Sequence, residues 1–384
     1  MKKTTNRYFM KSCAVVLALA LAMGLGGCAD KAGEETPAVE PEEKAQTASE
    51  TEVEAEDVTE KMEPFSIRVG TMPYYASVPV QVIMDEGLDK KYGFEMTVLN
   101  FASGGPMAEA LGAGEWDAGP IGAGGMTAIP NYNAYLIYDV ESAMDGAWIM
   151  ARADSDIVKA GSTIADFPDV LGDSESVRGK KILGTIGNIS HYMAIDYVEK
   201  MGLTMEDVEF LNMETSNVYT AFVSGEGDIA CMGSPTAAMK LMDEGYVRIG
   251  GLLQQGKSQQ DCMLLSEDYY KNNRDKAVAF MAAWLEASEM LNADIDYEVE
   301  MCSKFYSAQG RSDFTEEDVR RECEWCAYTD ASNYKDKEIG AWMRGLISCY
   351  VDAGVMDAGV LEALEQNIAT DIIEDAVALM KEKA

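Results

Sequence analysis

The chain has a single histidine, His191, in the run Gly187-Asn188-Ile189-Ser190-His191. One imidazole rules out catalysis by paired histidines and metal centres built from several of them. Two Glu-x-Asp pairs, Glu115/Asp117 and Glu226/Asp228, carry the residue types of acid–base chemistry. Each stands between a glycine and a short apolar run, which is the place of a turn or cap. Cys323 and Cys326 have CxxC spacing, but no second CxxC and no nearby His completes a zinc site. A disulfide and buried free thiols are both open readings for them. Gly251-Leu-Leu-Gln-Gln-Gly256-Lys257-Ser258 matches the P-loop pattern, which needs a strand before it and a helix after it. Here Gln259–Leu265 reads as another strand, so the segment is expected to be a crossover rather than a phosphate cradle. No metal, cofactor or catalytic group is expected.

What remains is a set of turns suited to binding. Ser103-Gly104-Gly105-Pro106 puts Pro at a first helical position, and Gly233-Ser234-Pro235 repeats the device. Ser103 and Ser234 are candidate ligand contacts and equally good turn-and-cap residues. Gly122-Ala123-Gly124-Gly125 allows close backbone approach, which makes Gly104 and Gly124 candidates too. Asn188, Ser190 and His191 open a helix and could face a ligand or simply pack. Tyr74 and Tyr75, after the first strand, offer an aromatic wall. Helix N-termini favour anions, yet no Arg lies in these loops to clamp a carboxylate.

Composition narrows the class further. Among 384 residues, 66 acidic oppose 31 basic ones, and 47% are hydrophobic. That apolar content suffices for a core. A net charge of −35 excludes a nucleic-acid partner, whose phosphates demand clustered cations. It also excludes electrostatic docking on anionic lipid.

The N-terminus reads as an export signal. Lys2, Lys3, Arg7 and Lys11 precede the apolar stretch 13–23, too short to span a bilayer. Leu25-Gly26-Gly27-Cys28 follows and resembles the lipobox of bacterial lipoproteins, which implies cleavage after residue 27 and acylation of Cys28. Cleavage removes four basic residues from the net −35, leaving −39. Residues 28–64 are acidic and lack aromatics after Cys28, so they are expected to form a disordered tether.

The positioning elements come as a repeat. The strand Ser66–Thr71, a helix with Val82 and Ile83, the strand Tyr92–Leu99 and a helix with Met107 and Leu111 lead to Gly114-Glu-Trp-Asp117. The strand Lys181–Ile186, a helix Tyr192–Met201, the strand Val208–Met213 and a helix near Tyr219–Val223 lead to Gly225-Glu-Gly-Asp228. This order predicts α/β architecture in two lobes with parallel strands. The C-terminal part is helical, from Lys276–Asn292 onward, with further helices beginning at Thr315, Lys337 and Gly359. It is expected to complete the first lobe, re-entered through Asp261–Ser266.

Six segments carry a family resemblance: Ile67–Met72, Asp85–Phe94, Gly114–Asp117, Val177–Leu183, Gly202–Val208 and Gly225–Pro235. In this order, across Ser66–Tyr270, the chain resembles type 2 periplasmic-binding-protein-fold solute receptors of the sulfonate/nitrate/taurine and thiamine-pyrimidine-precursor branch. The resemblance implies a lipid-anchored monomer outside the cytoplasm that captures a small organic solute for ABC permease subunits. The expected lobes are 65–150 with 258–384, and 151–257. An anionic, sulfonate- or pyrimidine-like solute is one expectation, with a neutral or zwitterionic aromatic also open. Two alternatives remain: a transporter-independent sensor domain, and an enzyme like the fungal thiamine-pyrimidine synthase. The latter needs a run of cysteines and a reactive histidine, whereas the cysteines here are dispersed.

Overall fold

The computed structural model describes residues 63–384, apart from 144, 146, 234, 312 and 313. The export segment, Cys28, nearly all of the acidic stretch and Ser234 lie outside the described residues. β1 (Phe65–Thr71) and β2 (Phe94–Asn100) pair in parallel, from Phe65 opposite Phe94 to Thr71 opposite Asn100. β3 (Ala118–Ile121) lies parallel on the other side of β1, and β4 (Tyr135–Asp139) joins the same sheet. After the short β5 (Glu141–Ala143) the chain enters a second sheet. This holds β6 (Trp148–Ala151), β7 (Lys181–Gly184), β8 (Glu209–Asn212), β9 (Ile229–Met232) and β10 (Val247–Gly251). β11 (Cys262–Leu265) returns to the first sheet, and β12 (Cys326–Tyr328) pairs with β5.

The two sheets have the same plan. Their orders, read from equivalent edges, are β2-β1-β3-β11-β4 and β8-β7-β9-β6-β10. In each, three parallel strands are followed by one antiparallel strand, β11 or β6, inserted before the last. β6 comes just after the first crossing and β11 just after the second, so each sheet is completed by a strand from a crossover. The expected lobe boundary at 150/151 falls inside β6, and the chain crosses ahead of Trp148. The segment matching the P-loop pattern runs from the end of β10 into turns and then β11, with no helix to receive phosphates.

The repeated Gly-Glu-x-Asp has one structural job done twice. Gly114 and Gly225 take positive φ (72° and 97°), a conformation that ends a helix at low cost for glycine alone. The following Glu amides donate back to Ala110 and Ala221 carbonyls, both at 2.9 Å. Asp117 then accepts from the Arg68 amide at 2.8 Å, and Asp228 from the Lys181 amide at 2.9 Å. Each Asp amide donates to the same partner's carbonyl at 2.8 Å. The carboxylates therefore lock the entry of β3 onto β1 and of β9 onto β7, at the strand ends where β3 and β9 begin.

The long helix Arg274–Ala293 packs its Phe280 and Trp284 face against the β1–β2 side, with the Phe94 ring 6.0 Å from Phe280. Helix Asp371–Lys383 covers it. Two other C-terminal helices touch both halves. Ala341–Asp352 meets helices Gly125–Tyr132 and Ile189–Lys200, and Glu316–Trp325 meets helix Pro235–Asp243. The helix expected from Lys337 starts instead at Ala341. Gly340 has positive φ (77°), and its amide is tied to Asp139 Oδ2 at 2.9 Å, so the regular turn begins after it.

Replacing Asp117 or Asp228 by Ala strands backbone donors at a strand entry. Each change is expected to cost about 1–2 kcal/mol in urea unfolding, with solute binding untouched.

Candidate functional site

A cavity of about 960 Å³ lies between the two sheets. Its rim comes from residues just past strand ends: Tyr74 after β1, Ala102 after β2, Thr215 after β8, and Gly233 and Pro235 after β9. Ligands in such α/β halves sit beyond these carboxyl ends. The crossovers supply its floor through Glu141, Asp145, Gln259 and Asp261. The C-terminal part adds Arg311, Phe314 and Glu322.

Of the residues singled out in the sequence, Tyr74 and Tyr75 line this cavity. Tyr74 is half-buried, its hydroxyl donating to the Pro120 carbonyl at 3.1 Å. Tyr75 is held by its ring stacked on Tyr328 (4.4 Å) and by its hydroxyl on Glu298. Gly233 and Pro235, which flank Ser234, line it too.

The other candidates are not among the lining residues. Ser103 precedes helix Gly104–Gly112 but makes no side-chain cap bond. Gly104 and Gly124 pack on each other: a Cβ on Gly124 would meet the Gly104 carbonyl oxygen at 2.7 Å. Their glycine requirement is thus the contact of two turns. Asn188 caps helix Ile189–Lys200, accepting from the Ser190 amide at 2.9 Å, and its amide reaches Thr215 Oγ1 at 3.3 Å. His191 lies between the Phe210 and Tyr350 rings, at 4.8 and 5.3 Å, and the Tyr350 hydroxyl donates to the Asn188 carbonyl at 3.0 Å. Burial lowers the His191 pKa, so its ring is neutral under helix Ala341–Asp352.

The residues that composition and turn chemistry missed are charged. Glu141 and Asp261 are only 2% and 1% exposed. They face each other across the crossovers, where the Val140 amide donates to the Asp261 carbonyl at 2.8 Å. Burial, then the charge of Asp261, pushes the Glu141 carboxyl well up. Burial likewise raises Asp261 to about 6, and the pair shares a proton. Glu141 Oε2 and Asp261 Oδ2 have no hydrogen-bond partner outside this pair. Nearby, Glu322 accepts from the Tyr306 hydroxyl at 2.8 Å. Arg311 donates to the Pro73 carbonyl at 2.7 Å, its guanidinium 3.7 Å from the Phe314 ring centre. A signal for the acid pair existed: Glu141 follows Tyr135-Leu-Ile-Tyr-Asp-Val140 and Asp261 precedes Cys262-Met-Leu-Leu265, charges set beside largely apolar strands. Arg311 sits in a helix-to-helix loop with nothing to mark it.

The cysteines sort differently from the CxxC spacing. Cys323 faces Cys302, Sγ to Sγ 3.6 Å, while Cys326 turns toward the cavity. Among the described residues, no three His, Cys, Asp or Glu side chains are arranged to hold a metal ion.

Two matched α/β sheets, completed by crossover strands around one interior cavity, define a periplasmic-binding-protein fold. The chain belongs to the NMT1-like family, whose model matches residues 60–303. It is 29% identical over 312 residues to a Brachyspira hyodysenteriae protein described as an ABC transporter periplasmic binding protein, covering 81% of this chain and 90% of that one. In structure it is similar to the periplasmic aliphatic sulphonate binding protein of Escherichia coli. That match has a TM-score of 0.63 at 17% identity, over 80% of this chain and 93% of the other. The periplasmic nitrate-binding protein of Synechocystis matches with a TM-score of 0.62 at 13% identity, over 83% and 90%.

Burial also raises Asp139 to about 6 and Glu298 to about 7. Carboxyls raised in the fold stabilise it fully below their unfolded values near 4, and that contribution is lost as pH rises through 6 to 7. The unliganded protein is therefore expected to melt at higher temperature at about pH 5.5 than at about pH 8. Glu141→Gln, which removes a buried ionisable group, is expected to add about 1–2 kcal/mol at neutral pH and to flatten this dependence in a melting series.

Proposed function

We propose that the protein is the extracytoplasmic solute-capturing component of an ABC importer and performs no catalysis. The observation that supports this most is the cavity of about 960 Å³, rimmed by strand-end turns of both sheets. Its size is that of a small-molecule site. Two lobes, one built on each sheet, close on the solute by movement about the paired crossovers. Tyr74, Tyr75 and Ser234 serve as contacts. Ser103, Gly104, Gly124, Asn188, Ser190 and His191 hold the turns and the helix start that shape the rim. The family and the named relative support the importer role. The solute is a small organic molecule; the named sulphonate and nitrate binders share this fold at low identity and leave its charge to be argued from the cavity.

Attachment to the membrane through lipid on Cys28, with residues 29–64 as a tether and permease subunits as partners, completes the proposal. Expressed in a bacterium with the full signal, the protein is expected in the membrane fraction, and Cys28→Ala is expected to release it. Retention of that variant in the membrane would count against the lipid anchor. For capture itself, a broad solute library is screened by melting temperature and hits are titrated by calorimetry. One saturable 1:1 binder is expected, and a screen without any would sink the receptor reading.

A further inference from the structure

The cavity has an inner end that its own residues leave chemically incomplete. Glu141 Oε2 and Asp261 Oδ2 are buried, belong to residues lining the cavity, and find no donor outside the Glu141–Asp261 pair itself. Unsatisfied buried acceptors are costly, and a ligand donor is what relieves them. The pair is held in place rather than free to swing away. A Cβ on Gly122 would meet Asp261 Oδ1 at 2.4 Å, so the carboxyl fills a slot that glycine leaves open. Below it, the Val140–Asp261 backbone bond fixes the two crossovers together.

The protein's own cations offset this end only in part. Lys337 is the cation that acts on Glu141, but its ammonium donates to Ser142 Oγ and, at 3.4 Å, to Thr329 Oγ1. Arg311 is spent on the Pro73 carbonyl and the Phe314 ring. Glu322 adds a third acid that acts on Glu141. An anionic head placed here would meet like charge in a low-dielectric setting, where repulsion is strongest. A cation meets two carboxyls with one proton between them, and the Tyr74 ring lines the same cavity to receive an organic body.

We infer that the inner end of the cleft takes the ammonium or amidinium group of an organic cation, seated on the carboxyls of Glu141 and Asp261. This rests on the receptor reading and sets the charge of its solute opposite to that of the sulphonate and nitrate binders that share the fold. Binding draws the shared proton off the pair. Affinity therefore falls with falling pH as the pair protonates, in a setting where Glu322, Lys337, Tyr74, Cys262 and Cys326 also face these two carboxyls.

The test uses the full chain and matched probes: benzamidinium and phenethylammonium against benzenesulfonate and benzoate. Calorimetry is expected to detect the cations and not the anions. Affinity should drop at least about tenfold in Glu141→Gln and in Asp261→Asn, each removing one charged hydrogen bond. Melting curves should meanwhile show both variants as stable as the parent or more so, separating lost binding from lost folding. Titrations in buffers of different ionisation enthalpy should report proton release on binding near neutral pH. Anion binding that survives both substitutions overturns the inference and leaves the receptor reading intact. The same holds if no cation binds while the broad library yields a neutral or anionic solute. If no solute of any charge binds, both fall.

Discussion

Two strands of chain pass side by side between the sheets, and the Val140–Asp261 backbone bond of 2.8 Å ties them. Much else follows from that pairing. It delivers β6 to the second sheet and β11 to the first, so each sheet is closed by the chain as it crosses. It also brings Glu141 and Asp261 into contact at the base of the cavity. Wherever the chain crosses, the cavity must open, because the strand-end turns of both sheets point there. The binding site and the connection between the halves are one construction.

That construction sets stability against binding. Burying two carboxyls with unfilled acceptors raises their affinity for protons and weakens the empty fold near neutral pH. An enclosed pair of this kind is tolerable when the rest of the molecule over-determines it. Here the Phe280 and Trp284 face of helix Arg274–Ala293 and the stacked Tyr75–Tyr328 rings supply a large apolar surround.

The architecture was legible in the sequence because it rests on local, repeated signals. Gly114 and Gly225 each need a left-handed turn, and Asp117 and Asp228 each anchor a neighbouring strand, so the same four-residue pattern marks the same joint twice. Alternating strand and helix periods placed the sheet elements. The site was less legible, since turn chemistry names residues that can face a ligand without saying which do. Gly104 and Gly124 look like ligand-approach glycines and prove to touch each other. His191 looks available and lies under Tyr350, from a helix about 160 residues further along. Arg311 and Glu322 reach the cavity only through the packing of C-terminal helices, which no pattern near the strands could announce.

The interleaving of the sheets bears on how the molecule is made. The second sheet draws all its strands from one continuous stretch, β6 to β10. The first must wait for β11 before its inner edge on β3 is covered and β4 has a neighbour. A chain that folds from its N-terminus onward thus finishes the later half before the earlier one. Until residue 265 has crossed, the apolar faces of β3 and β4 stand unpaired, which marks that interval as the one when a chaperone or a neighbouring copy can intervene.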